Sequence, residues 1–149
     1  MLLQLPLDTC RHIAERMWPR VNVISESDLS ATYRIVMSPK ANVIAALMAG
    51  DLNWEEHTGS GTLQTVPLIS ICSTAVSYFR PKFILRGIFP DVSFSKPVNI
   101  REPVIATVTQ THRGKLTRRL SLSIELESSG KPLFTERTLK LKTPAELRD

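Results

Sequence analysis

The residues able to do acid–base chemistry are few and unevenly placed. Asp51, Glu55, Glu56 and His57 are crowded into one short polar stretch. Glu56 beside His57 is the strongest pair among them: the carboxylate can orient the imidazole, which can then take a proton from water near neutral pH. The plainer reading of the same residues is a solvated polar loop. From Thr58 to Pro90 there is no Asp or Glu at all. The nucleophile candidates in that interval are hydroxyls, Ser73 with Thr74 beside it, and a lone hydroxyl is a poor nucleophile without a partner base. The competing use of both is packing, with the hydroxyls bonded to the preceding helical turn. His12 and His112 stand alone. The two cysteines, Cys10 and Cys72, form no CxxC pair, which excludes a zinc ribbon and a thioredoxin-type redox site. Cys72 sits in an apolar run and reads as a small core residue. No metal-ligand spacing occurs, so neither a metal nor a cofactor is expected.

A second group of residues offers charge. Arg113, Lys115, Arg118, Arg119 and Lys131 surround two Gly-containing turns. They serve either solubility and protection of strand edges or the binding of phosphates. No aromatic residues interleave with them, which argues against nucleic acid.

The elements that must position these groups follow from periodicity. Leu7–Trp18 reads as an amphipathic helix, capped at Asp8 or Thr9 and stopped by Pro19. In Leu29–Ser38 the residues Ala31, Tyr33, Ile35 and Met37 alternate with Thr32, Arg34 and Val36, the pattern of a strand. Val43–Met48 is a short apolar helix ending at Gly50. Gln64–Phe79 carries no charge, and Leu68, Ile71, Cys72, Ala75, Val76 and Phe79 recur at helical spacing. Val66 and Ile69 widen that stripe until it nearly encircles the segment, so a buried helix is expected. Ser70, Ser73, Thr74 and Ser77 supply small hydroxyls for close packing. The remainder reads as four strands, over Phe83–Phe94, Val104–His112, Leu116–Glu127 and Leu133–Lys142, with turns at Arg113-Gly114 and Ser129-Gly130. One apolar helix followed by an antiparallel meander predicts an α+β fold, an antiparallel sheet wrapped around a long central helix, with a further helix at the N-terminus.

Composition sets the outer bounds. With 149 residues, 42% hydrophobic and 22% charged, the chain suits one ordered domain and excludes disorder. A net charge of +5 suits an anionic small molecule, with the basic residues too scattered for nucleic acid. The start, MLLQLPLDTC, has no basic region and does not read as a signal peptide. Thr58–Phe79 is too polar to span a bilayer. A cytoplasmic location without membrane attachment is therefore expected.

Two stretches carry a family resemblance. Gly61-Thr62-Leu63-Gln64-Thr65-Val66-Pro67-Leu68-Ile69-Ser70-Ile71-Cys72-Ser73-Thr74-Ala75 resembles the G-T-L-H-G-G-x-x-x-x-x-x-D-T-A signature of hotdog-fold acyl-CoA thioesterases, in the branch similar to phenylacetate-pathway enzymes. Phe94-Ser95-Lys96-Pro97-Val98 is similar to that family's F-x-[RK]-P-A. The resemblance runs over roughly Leu29 to Thr143. It implies one hotdog domain over 1–149, with an N-terminal helix and linker at 1–28, the core at 29–143 and a tail at 144–149. It further implies a homodimer or dimer of dimers, and an acyl-CoA or acyl-carrier-protein thioester bound beside the central helix. Thr58, Gly61, Thr65, Thr74, Ser95 and Lys96 would contact substrate, while Arg113, Lys115, Arg118 and Arg119 would meet the CoA phosphates.

The signature is also broken where it matters most. The family's helix carboxylate is Ser73 here, its His is Gln64, its Gly-Gly pair is Thr65-Val66, and its frequent upstream Asn is Thr58. The usual base is missing. What survives is the helix N-terminus, whose free N–H groups and partial positive charge can grip a carbonyl oxygen, with Gln64 as a further donor. The catalytic candidates are therefore Glu56, His57, Gln64 and Ser73. The expected function is hydrolysis of an acyl thioester at a non-standard site. The alternatives are a non-catalytic acyl-CoA-binding module of the same fold and, more distantly, a hydratase or dehydratase.

Overall fold

The computed structural model describes residues 6–17, 19–48, 50–53, 63, 65–81, 84–85, 98–114 and 117–142. Three helices and six strands run in the order α1 (Leu7–Met17), β1 (Arg20–Glu26), β2 (Ser30–Val36), α2 (Lys40–Met48), α3 (Thr65–Phe79), β3 (Ile84–Leu85), β4 (Val104–Arg113), β5 (Thr117–Leu126) and β6 (Pro132–Lys142). The strands form one antiparallel sheet in the order β1-β2-β4-β5-β6-β3. Helix α3 packs across β2, β4 and β5, and α2 lies against α3.

Alternation sends one face of the sheet onto that helix. Ala31, Tyr33, Ile35 and Met37 from the β2 stretch, Val104, Ala106 and Val108 from β4, and Leu120, Leu122, Ile124 and Leu126 from β5 are all buried. They meet Leu68, Ile71, Cys72, Ala75, Val76 and Phe79 of α3 in one core. The six apolar positions assigned to the inner face of α3 thus face inward. The stripe does not encircle the helix, however. Ser70, Ser77 and Tyr78 are exposed and Ile69 and Ser73 are half-buried, so one face of α3 stays open. The sheet curves around only one side of the helix; α2 lies against α3 as well, and Ser70 and Ser77 remain exposed.

Two glycines stop elements where their freedom is required. Gly50 ends α2 at φ +74, with its N–H on the Leu47 carbonyl and the Asp51 N–H on the Ala46 carbonyl, a paired closure of the last helical turn. Gly130 takes φ +65 in the β5–β6 hairpin and donates to the Leu126 carbonyl at 2.8 Å.

One expectation needs revision, and a second is met as far as the described residues reach. Residues 20–26 lie within the stretch expected as linker, yet they form edge strand β1. Its pairing with β2 slips between Val23 and Ser25, leaving Ile24 as an extra residue. That bulge breaks the two-residue period, and the strand is largely exposed, so it carries no consistent apolar face to reveal it. Within the expected strand Phe83–Phe94, the described residues Ile84–Leu85 pair with Lys142 and Leu141. Positions 86–94 lie outside the described residues.

Two buried groups make the fold sensitive to alkali. Burial, reinforced by the Glu26 charge, pushes the Tyr33 phenol up to about 12, and burial pushes the Cys72 thiol up to about 12. In the unfolded chain these groups ionise nearer 10.0 and 9.0. The unfolded state therefore loses protons first, and the stability that both groups contribute below pH 9 is lost as pH rises from about 9 to 12. Thermal denaturation at pH 8 and pH 11 checks this: the drop in Tm should be smaller for Tyr33→Phe than for the wild type.

Candidate functional site

Helix α3 is the axis of the site. Its first N–H groups have no partner within the helix, and Pro67, fully buried in the first turn, has no N–H to satisfy. Just before it, Leu63 is buried and its N–H donates to the Val98 carbonyl at 2.7 Å, which ties the approach to α3 to the segment leading toward β4. No side chain along Thr65–Phe79 is ionisable in the neutral range except the buried Cys72, whose raised thiol is inert at pH 7.

The two hydroxyls singled out on α3 occupy different surroundings. Thr74 is buried, and its Oγ1 donates to the Ser70 carbonyl at 2.7 Å. Its proton is committed to the helix. Ser73 is half-buried on the border of the open face and has no hydrogen-bond partner among the described residues. Thr65 is the first residue of α3. Glu56, His57, Thr58, Gly61, Gln64, Ser95, Lys96 and Lys115 lie outside the described residues. Asp51, upstream of them, accepts from the Asn53 N–H at 2.9 Å in a local turn. His12 and His112 are both exposed. Among the described residues no three His, Cys, Asp or Glu side chains gather where they could hold a metal.

The basic group at the β4–β5 hairpin is divided by the sheet. Arg113 pairs directly with Arg118, whereas His112 pairs with Arg119. Successive strand residues point to opposite faces, so Arg118 shares the helix-facing side with Leu120 and Arg119 takes the other. Arg118 is half-buried, with Nη1 on the Gly114 carbonyl at 2.6 Å. Its pKa is lowered by burial and by the positive charges of Arg113 and Arg80. Arg80 is the partner that sequence reasoning missed. It follows α3 immediately, stacks over the Phe79 ring at 3.8 Å and donates to Gln110 Oε1 at 2.9 Å and to the Asp28 carbonyl at 2.5 Å. Arg80, Arg113 and Arg118 therefore gather at the C-terminal end of α3. The first and last residues of that helix lie roughly 21 Å apart at 1.5 Å per residue.

No family model matches the chain, and no curated protein matches it. Solved structures do. A hypothetical thioesterase from Streptococcus pneumoniae TIGR4, solved with coenzyme A, superposes with a TM-score of 0.62 at 8% identity, covering 93% of this chain and 97% of that one. The PaaI protein of the Escherichia coli phenylacetic acid degradation operon gives 0.59 at 15% identity, over 91% and 88%. The R-hydratase PhaJ1 of Pseudomonas aeruginosa gives 0.61 at 16%, over 80% and 83%. An antiparallel sheet wrapped around α3 in this strand order is the hotdog fold, an α+β architecture shared with these structures. No helix among the described residues is long and apolar enough to cross a membrane.

Proposed function

We propose that the chain is an acyl-thioester hydrolase acting on acyl-CoA or acyl-carrier-protein thioesters through a non-standard site. The observation that carries this reading is the charge pattern along α3. An uncharged helix, whose first N–H groups have no partner within the helix, leads to a cluster of arginines at its end, roughly the length of an extended pantetheine arm away. In this reading the thioester carbonyl lies near the start of α3, held by backbone N–H groups and Gln64. Thr58, Gly61, Thr65, Ser95 and Lys96 line its approach, and Ser73 and the oxygen of Thr74 face the acyl portion. Glu56 orients His57, which takes a proton from the attacking water as its oxygen bonds to the thioester carbon. The tetrahedral intermediate then collapses, expelling the thiolate.

Solved relatives by fold that are described as thioesterases support this choice over a hydratase, for which the sequence offers no clear positioned His or Asp. The open serine-bearing face of α3 supports a homodimer or dimer of dimers, with a second copy covering it. We assign the protein to the cytoplasm as one domain over 1–149. A second reading, a non-catalytic acyl-CoA-binding module, is favoured by one observation, the absence of any carboxylate along α3.

A hydrolysis screen over acyl-CoA chain lengths decides between the two. Turnover above the uncatalysed rate, retained with the matching N-acetylcysteamine thioesters, supports the hydrolase. Saturable acyl-CoA binding without turnover supports the binding module. The arginines give a separate expectation. Replacing Arg113 and Arg118 together should weaken coenzyme A thioesters about ten-fold, with less effect on N-acetylcysteamine thioesters, and the loss should shrink as salt rises. Arg119→Gln, on the opposite face, should change either affinity less than two-fold.

A further inference from the structure

A cavity of about 450 Å³ opens where α1, the start of β1, the end of β2 and the Asn99–Glu102 turn converge. It is lined by Glu15, Arg16, Arg20, Met37, Ser38 and Arg101 among others. Three arginines and one glutamate stand on its wall, a net charge of two positives, and all four side chains are also exposed to solvent. Among the described residues none of the three arginines is in an ion pair. Glu102, next to Arg101, is engaged elsewhere: Oε2 accepts from the Asn99 N–H at 3.1 Å and Oε1 from the Ser128 hydroxyl at 3.3 Å.

Arg101 is held there at a backbone cost. It has φ +68, the left-handed region, and is the only non-glycine among the described residues to adopt it. It occupies the third position of a turn closed by the Glu102 N–H on the Asn99 carbonyl at 3.0 Å, a position that favours glycine. A glycine would satisfy the turn without strain, whereas an arginine there adds a positive charge to the cavity wall. The cavity lies beside the segment that Val98 ties to Leu63, at the opposite end of α3 from Arg80, Arg113 and Arg118.

We propose that this cavity is a second anion site and that it binds a phosphate or pyrophosphate group. Planar guanidinium forks present paired N–H donors that match phosphate oxygens, and three arginines line a space of the size of a small-ligand pocket. Such a group has two sources: the carrier portion of a thioester substrate, or a separate phosphorylated small molecule.

Titration calorimetry with inorganic pyrophosphate tests the site without requiring catalysis. The wild type should bind it saturably. Arg101→Gly relieves the turn, so its Tm should be no lower than the wild type's, while affinity should fall at least ten-fold. Arg16→Gln with Arg20→Gln should lose at least as much, and Arg101→Lys, which keeps charge but not the fork, should fall between. Arg11→Gln, on α1 but off the cavity wall, should bind as the wild type does. If free coenzyme A displaces pyrophosphate, a phosphate of the carrier occupies this cavity, and the placing of those phosphates on Arg113 and Arg118 is replaced by it. If it does not, the ligand is a separate phosphorylated molecule. Absence of saturable binding in the wild type overturns the proposal. So does wild-type affinity in either Arg101→Gly or the double variant, or an equal loss in Arg11→Gln. Turnover of N-acetylcysteamine thioesters, which carry no phosphate, reports on the hydrolase reading independently.

Discussion

Replacing His57 by alanine is expected to lower thioester turnover by about 10²–10⁴-fold, the usual contribution of a positioned general base, with substrate binding nearly unchanged. The expectation rests on what α3 lacks. With no carboxylate between Thr58 and Pro90 and Cys72 buried as a thiol, the helix itself has no group able to activate water at pH 7. The nearest base in sequence is the imidazole, with Glu56 beside it. Since only the proton-transfer step is lost, kcat and kcat/KM should fall together while KM holds. Glu56→Gln should lower the rate less and shift the acid limb of the pH–rate profile, as the imidazole loses its carboxylate partner. Ser73→Ala should stay within a few-fold of wild type. Steady-state kinetics on one acyl-CoA checks all three. A Ser73→Ala variant without turnover beside an active His57→Ala would assign the reaction to the helix hydroxyl instead.

The second large effect concerns stability. Ile71→Ala should destabilise the fold by about 3 kcal/mol, since it removes most of a fully enclosed side chain from a helix gripped by three strands. For a chain of this size that corresponds to a Tm lower by roughly 10 °C. Ile71→Val should cost only about 1 kcal/mol, because it deletes one methyl group at the same point. Urea denaturation of the three proteins measures both differences. A cost below about 1 kcal/mol for Ile71→Ala would mean that α3 is not the centre of the core.

How much of this was legible beforehand varies with the reach of the interaction involved. Local pattern sufficed for Ser30–Val36 and Thr117–Leu126, where apolar residues alternate without interruption, and for Thr65–Phe79, where they recur at helical spacing in an uncharged run. In each case the hydrophobic demand of one face is written into consecutive residues. Gly50 and Gly130 were legible for a similar reason, because a positive φ is a property of a single residue. Strand β1 was not, since the bulge at Ile24 and its exposure erase the period that would mark it.

The candidate sites divide along the same line. The uncharged character of α3 and the lack of any Asp or Glu from Thr58 to Pro90 are sequence facts, and they limit which chemistry the helix has available. Arg113, Arg118 and Arg119 look equivalent in the chain, yet strand pairing puts the first two on one face and the third on the other. Arg80 joins them only because the end of α3 meets Gln110 across the sheet. Arg16, Arg20 and Arg101 are separated by up to 85 positions in the chain and line one cavity only because α1, β1 and the Asn99–Glu102 turn converge. Sequence alone determined the elements, because burial of a periodic face is a local requirement. The tertiary structure alone decided which charges share a surface, because the free energy of bringing them together comes from the core and not from the charges themselves.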